Sequence, residues 1–289
     1  MNGPVCVSVI NMKGGVGKTT IAALLAEYAS VDLGLEVLAV DLDPQANLSQ
    51  ALMRDYQEFL DEKRPSIVEL FAGYSPPRPN KSSPSSLNLD DVLVRTTSFG
   101  GSRLALIPSR FDFSDNLIES VKPDAQVLAT LIANEFQDRD LVIIDCAPTE
   151  SIFTQAAYHA SRYVLVPVKP EYFATIGFPL LKDSLDNFRA HNRGHSIDVA
   201  GIVINNSTYH YSGNGGPERA RAIVELEREA ERNHWRIFDR QIPLSRGFPK
   251  MMRGDFTYRG DAVQFDYFAE EFFEHILGES THDGKQRET

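Results

Sequence analysis

Residues 5–25 read VCVSVINMKGGVGKTTIAALL, and this stretch governs how the rest of the chain is read. Val5 to Ile10 is an apolar run short enough for a strand buried on both faces. A glycine-rich turn follows, Lys13-Gly14-Gly15-Val16-Gly17-Lys18-Thr19-Thr20. Beyond it Ile21, Leu24, Leu25 and Tyr28 recur at helical spacing, so the turn opens a helix. Strand, glycine loop and helix in this order let backbone N–H groups converge on a phosphate chain, and the helix N-terminus adds partial positive charge. Lys18 is then placed to reach terminal phosphates, and the Thr19 hydroxyl to ligate Mg2+. The pattern G-x-x-x-x-G-K-[ST] is not met, because its first glycine falls on Met12; Lys13 stands before the glycine pair instead.

Two further motifs end apolar runs. The first helix is expected to stop near Asp32-Leu33-Gly34, with Gly34 as its C-terminal cap. Glu36 to Val40 reads as the second strand and delivers Asp41-Leu42-Asp43-Pro44-Gln45 to its carboxyl end, where open α/β sheets bind ligands. The alternative is that Asp41 and Asp43 only cap the following helix. Leu141 to Ile144 is a third apolar strand, ending in Asp145-Cys146-Ala147-Pro148. A carboxylate there can hold Mg2+ through water beside a phosphate loop; a purely structural strand-end aspartate is the other reading.

KGGVGKTT, DLDPQAN and the DxxP spacing of DCAP together resemble the deviant Walker A, or ParA/MinD, family of P-loop ATPases, closest to the ParA/Soj partition ATPases. The resemblance implies ATP held by Lys13, Gly14, Gly15, Val16, Gly17, Lys18, Thr19 and Thr20. It implies that Lys13 reaches across a homodimer interface to the partner's nucleotide, and that Asp43 positions or activates the attacking water. Lys13, Lys18 and Asp43 are accordingly the candidate catalytic residues, and Thr19, Asp43 and Asp145 the candidate metal residues. Val166 to Glu171 (VPVKPE) is similar to the segment that lines the family's dimer face and leads to the nucleotide base. Asn205 matches an asparagine that contacts adenine in related ATPases, although a turn-forming residue before Asn206 and Ser207 reads equally from the residues alone. Pro243 stands where a base-lining proline is common. The chain departs from the family at Ala46, usually glycine, and at Cys146, commonly threonine or serine.

The remaining segments alternate strand and helix: Arg103–Pro108, Asp124–Phe136, Tyr163–Lys169, a helix through about Ala190, Val199–Asn205, Glu218–Asn233, a short strand Arg236–Ile242, and a final helix Ala262–Leu277. This predicts an α/β fold: one doubly wound, mainly parallel sheet with helices on both faces. A single domain over residues 1–289 is expected, with an insertion or long loop at about 55–102 and a flexible tail from about 279. Gly73 to Ser86, rich in Pro, Ser and Asn, reads as an exposed loop inside that insertion.

Composition bounds the function. With 42% hydrophobic residues in 289, the chain has material for a substantial core. No apolar run reaches membrane-spanning length and no signal-peptide pattern opens the chain, so a cytoplasmic protein is expected, and the resemblance implies that it is nucleoid-associated. Cys6 and Cys146 read as small core residues in a reducing compartment, with a disulfide or metal pair as the alternative. The net charge of −11 argues against a constitutive nucleic-acid binder. Any DNA contact must come from a local patch, and Arg246, Lys250, Arg253 and Arg259, set against Asp255 alone, form the one clearly basic window. A solvated loop is its plain explanation. The helix from Glu218 mixes arginines with glutamates and reads as laced by salt bridges.

The family reading implies ATP hydrolysis timing a dimerisation cycle, non-specific DNA binding by the ATP-bound dimer, and a ParB-like or other adaptor that stimulates turnover. Two alternatives belong to other classes. A MinD-like membrane-associated ATPase needs a basic amphipathic tail, whereas this chain carries Glu270, Glu271 and Glu274 near its end. A metabolic ATP-dependent enzyme on the same scaffold is the other; an iron–sulfur version would need cluster cysteines that Cys6 and Cys146 do not match. Because the first strand starts at Val5, an N-terminal helix-turn-helix, and with it operator binding, is not expected.

Overall fold

A computed structural model describes residues 3–73, 88–96, 103–111, 124–171, 177–205, 216–243, 247 and 259–285. The strands are β1 (Val5–Val9), β2 (Val37–Asp41), β3 (Val94–Arg95), β4 (Leu104–Ile107), β5 (Leu141–Asp145), β6 (Tyr163–Val168) and β7 (Asp198–Ile204). Interleaved with them run α1 (Lys18–Val31), α2 (Asn47–Leu52), α3 (Tyr56–Asp61), α4 (Ile67–Gly73), α5 (Leu89–Val92), α6 (Val127–Glu135), α7 (Ile152–Ala160), α8 (Gly177–His191), α9 (Gly216–Asn233) and α10 (Arg259–Lys285).

The strands form one seven-stranded sheet in the order β3-β4-β2-β5-β1-β6-β7. Every pairing is parallel except β3 on β4. A parallel sheet must be covered on both faces, and the residues sort accordingly. Val7, Val9, Val37, Ala39 and Ile143 pack with α1 and with Phe268, Phe272 and Ile276 of α10. Their sequence neighbours Cys6, Leu38, Val40, Val142 and Ile144 pack with Leu128, Tyr158, Phe178 and Leu226 on the other side. The period of two along each strand thus divides the apolar runs between two cores. β1 lies inside the sheet, next to the central β5, and its carboxyl end opens between those of β5 and β6.

The insertion resolves into local structure at one margin of the sheet. α3, α4 and α5 precede β3, which adds the antiparallel edge strand. Residues 74–87, which hold nearly all of the Pro/Ser-rich run, lie outside the described residues. α1 ends as expected, with Gly34 at φ +66 just past its last turn. The final helix runs on to Lys285, past the point near 279 where the sequence suggests a tail.

One expected strand is corrected. Arg236 to Ile242 is not a continuous strand: beside β7 it makes the isolated parallel bridge Ile202 to Ile237, and contact resumes where the Ile242 N–H donates to the Ile204 carbonyl at 2.8 Å. The reason lies in α10: the Glu271 carboxylate accepts the backbone N–H groups of Asp239 at 3.0 Å and Arg240 at 2.9 Å. Those donors turn toward the helix and the ladder is interrupted.

Candidate functional site

The turn after β1 is shaped by two glycines in the left-handed region, Gly15 at φ +70 and Gly17 at φ +94. Gly17 is the N-cap of α1 and no side chain caps that end, so its first N–H groups remain open to an anion. Two buried asparagines hold the turn from behind. Asn11 donates to the Pro167 carbonyl at 2.7 Å and accepts the Lys13 N–H at 2.8 Å. Asn205, just past β7, donates to the Val16 carbonyl at 2.8 Å.

Lys18 is the first residue of α1 and is buried, with Nζ donating to the Lys13 carbonyl at 3.3 Å. Burial lowers its pKa, against the pull of Asp145 and Asp43. Lys13 lies at the rim, 30% exposed, with Nζ 3.7 Å from Glu171 Oε2. In front of these residues a cleft of about 610 Å3 is lined by Gly14, Lys18, Thr19, Asp43, Gln45 and Pro148, among others.

The acids at the strand ends divide their work. Asp41 and Asp145 are register partners on β2 and β5 and both are fully buried. Asp41 takes the structural alternative: Oδ2 accepts the Ser49 N–H at 2.8 Å and its hydroxyl at 2.7 Å, pinning α2, while Oδ1 accepts the Asp43 N–H at 3.1 Å. Burial still pushes its carboxyl up to about 7. Asp43 faces the cleft with one oxygen accepting the Gln45 N–H at 2.9 Å. Ala46, which replaces the family's glycine, is held at φ 53, a left-handed conformation that costs alanine about 1 kcal/mol.

Asp145 is the telling group. Burial, then the Asp41 carboxylate, push its carboxyl well above the ordinary range, and the Thr19 hydroxyl and Lys18 only partly oppose this. Neither carboxylate oxygen has a partner in good hydrogen-bond geometry among the described residues. An orphaned buried carboxylate beside a threonine hydroxyl and a second carboxylate, Asp43, is an all-oxygen donor set suited to a hard divalent cation such as Mg2+.

The structure therefore brings Gly14, Gly15, Gly17, Lys18, Thr19 and Thr20 together with Asp43 around one cleft, with Asp145 buried beside Thr19 and Lys18, Lys13 at the rim and Val16 turned inward to Asn205. Ile242 N–H donates to the Ile204 carbonyl at 2.8 Å, which carries buried Pro243 alongside Asn205. Arg246, Lys250 and Arg253 lie outside the described residues, and of Arg259 only the backbone, at the start of α10, is described. Sequence reasoning missed Asn11, Glu171 as the partner of Lys13, and Gln45, Asn47 and Gln50 along the cleft. For Asn11 there was a signal, a polar residue closing a fully buried run.

A family model described as an AAA domain matches residues 5–197. The chromosome-partitioning ATPase Soj of Treponema pallidum is 33% identical over 195 residues, covering 67% of this chain and 68% of that protein. This chain belongs to the ParA/MinD family of P-loop ATPases. Two solved structures share its fold. A Cyanothece McdA variant in complex with ATP has a TM-score of 0.73 at 19% identity, covering 96% of this chain and 98% of that one. Cobyrinic acid a,c-diamide synthase from Mycobacterium smegmatis, with a bound ATP analogue and magnesium, has a TM-score of 0.72 at 22% identity, covering 94% and 95%. The cleft above the glycine loop of this chain is the candidate nucleotide site.

Proposed function

We propose that this protein is a ParA-like positioning ATPase that binds and hydrolyses ATP with Mg2+, dimerises on ATP binding, and drives partition of DNA or positioning of another cargo. The observation that carries the reading is the unpartnered Asp145 carboxylate, fully buried at the head of a glycine loop whose Lys18 and Thr19 flank the same cleft. Bound Mg2+ supplies positive charge that offsets what develops on the phosphates. The chain's own groups do the rest. Backbone N–H groups from Gly14 to Thr20 cradle the phosphate chain, and Lys18 leaves the Lys13 carbonyl to pair with terminal oxygens. Thr19, Asp43 and Asp145 supply oxygen donors for the cation. Asp43, at the cleft wall, orients the attacking water.

Lys13 on the rim, paired with an exposed glutamate, supports its transfer to a partner protomer's phosphates. Non-specific DNA binding through Arg246, Lys250, Arg253 and Arg259, and an adaptor that stimulates turnover, complete the cycle. The similarity to Soj and the DLDPQAN motif favour this over a ligase-type enzyme, although the synthase shares the fold. A MinD-like reading is less well supported: no helix among the described residues is long and apolar enough to cross a membrane, and α10 carries Glu270, Glu271 and Glu274 where anionic lipid would want lysines. Calorimetric titration with ATP and Mg2+, phosphate release, and sedimentation with a non-hydrolysable analogue test the proposal. Saturable binding, slow turnover and a nucleotide-dependent dimer are expected. No ATP binding would overturn it, and binding without a dimer would point to the ligase class.

A further inference from the structure

We infer that Glu150 is a positioning residue for the segment that follows Asp145, tied to Ser184 of α8 so that Pro148 stays in place along the cleft. The inference rests on the ATPase reading above and deepens it.

The chain leaves the sheet at Asp145 and passes through Cys146, Ala147 and Pro148 before α7 begins at Ile152; Pro148 lines the cleft. Most of what holds this segment is local to α7. The Thr154 hydroxyl donates to the Thr149 carbonyl at 2.6 Å, Ser151 caps the helix by accepting the Thr154 N–H, and Gln155 donates to Glu150 Oε1. Those contacts travel with α7 and fix the segment to nothing else. Glu150 Oε2 makes the tertiary tie: it accepts the hydroxyl of Ser184, 34 residues later, at 2.5 Å.

Ser184 is prepared for that bond. It is buried, and its Oγ also lies 3.0 Å from the Tyr158 hydroxyl. A carboxylate only accepts, so the single Ser184 proton goes to Glu150. Burial pushes the Tyr158 hydroxyl up, so it stays protonated and donates to Ser184 in turn. The chain of donors ends on a charge, which strengthens each link.

The helix that carries Ser184 also abuts the glycine loop. A Cβ on Gly177, the first residue of α8, would lie 2.9 Å from Asn11 Oδ1 and 3.6 Å from the Lys13 nitrogen. Ser184 stands about two turns further along. One helix thus meets the Lys13 loop at its start and the segment beyond Asp145 in its middle, and two walls of the cleft share one support. Cutting the tie leaves Lys18, Thr19 and the loop's N–H groups where they are, while the wall at Pro148 gains freedom. A loosened wall costs rate and spares affinity.

The test uses the full chain as Glu150→Ala, Glu150→Gln, Ser184→Ala and the double variant Glu150→Ala with Ser184→Ala. Affinity for ATP with Mg2+ is measured by calorimetry, phosphate release under single-turnover conditions, and the folded fraction by thermal unfolding. Glu150→Ala and Ser184→Ala should each slow release roughly tenfold, about the worth of one hydrogen bond to a charge, at unchanged affinity. Glu150→Gln, whose amide oxygen still accepts the Ser184 hydroxyl, should recover most of the wild-type rate. The double variant should be no slower than either single one, because both cut the same bond. Additive losses, or a glutamine variant as slow as the alanine one, would overturn the inference. Losses of rate and affinity that both follow the folded fraction would overturn it too and leave Glu150 a structural residue. If the wild type releases phosphate and the single variants match it, only this inference falls. If the wild type releases none, the ATPase reading falls and takes the inference with it.

Discussion

The Lys13 ammonium lies 3.7 Å from the Glu171 carboxylate, tying the glycine loop to the segment that follows β6. With the two side chains 30% and 61% exposed, such a pair is screened and contributes less than about 1 kcal/mol. Lys13 is therefore held loosely enough to reach outward to a partner, whereas Lys18 is buried on the Lys13 carbonyl inside its own site.

That contrast predicts different failures for the two lysines. Lys18→Ala removes the main charge partner of the phosphates and should abolish ATP binding. Lys13→Ala should keep monomer binding within about threefold yet lose the ATP-dependent dimer. Sedimentation with a non-hydrolysable analogue separates them; an unchanged dimer fraction in Lys13→Ala would sink the cross-subunit role.

Asp43→Ala should leave ATP affinity nearly intact while slowing turnover by one or more orders of magnitude, because water loses its orienting group and the cradle does not change. Losing the bond from the Gln45 N–H should lower stability by about 1 kcal/mol. Single-turnover phosphate release is the measurement, and wild-type rates would remove Asp43 from the mechanism.

Glu27, half-buried on α1, predicts a stability effect far from the nucleotide. Burial, then Asp32 and Asp266 of α10, push its carboxyl up to about 8 from an ordinary 4.5. Between those values the folded protein keeps a proton that the unfolded chain has released, so this group makes stability fall as pH rises across the window. Glu27→Gln should match the wild type near the lower limit and exceed it by about 1–2 kcal/mol above the upper one. Urea unfolding at both limits decides it; a difference independent of pH would contradict the assignment.

The basic window sets a small patch against a net charge of −11. Charge reversal at Lys250 and Arg253 together should abolish DNA binding by the ATP-bound protein without changing its basal turnover. Wild-type binding should show no sequence preference and, with roughly four to six phosphates engaged per dimer, fall steeply between low and physiological salt. Mobility shifts with ATP and with ADP test this. Equal binding with either nucleotide would leave the window a solvated loop.

Much of the sheet was legible because parallel strands buried on both faces are continuous apolar runs. Leu38-Ala39-Val40 and Val142-Ile143-Ile144 could hardly be anything else, and the acids that close them announced the carboxyl edge. Even so, Asp41 and Asp145 proved to be ladder members, paired with each other, rather than the first loop residues. The 236–242 segment was misread because its pattern suits a strand, whereas Glu271, some thirty residues away, takes two of its N–H groups.

Local chemistry, then, settles what can be decided within a few residues: where the glycine loop falls, that Gly15 and Gly17 permit positive φ, and that a helix starts at Lys18. The tertiary structure decides which way the loop's peptides point, because the Val16 carbonyl is turned by an amide 189 residues later and Lys13 is placed by Asn11 braced on Pro167. It also decides that Asp41 is consumed by Ser49 while Asp145 is left open. The physical reason is that hydrogen-bond direction and desolvation depend on which strands are neighbours, and strand order is not written in any short window of the chain.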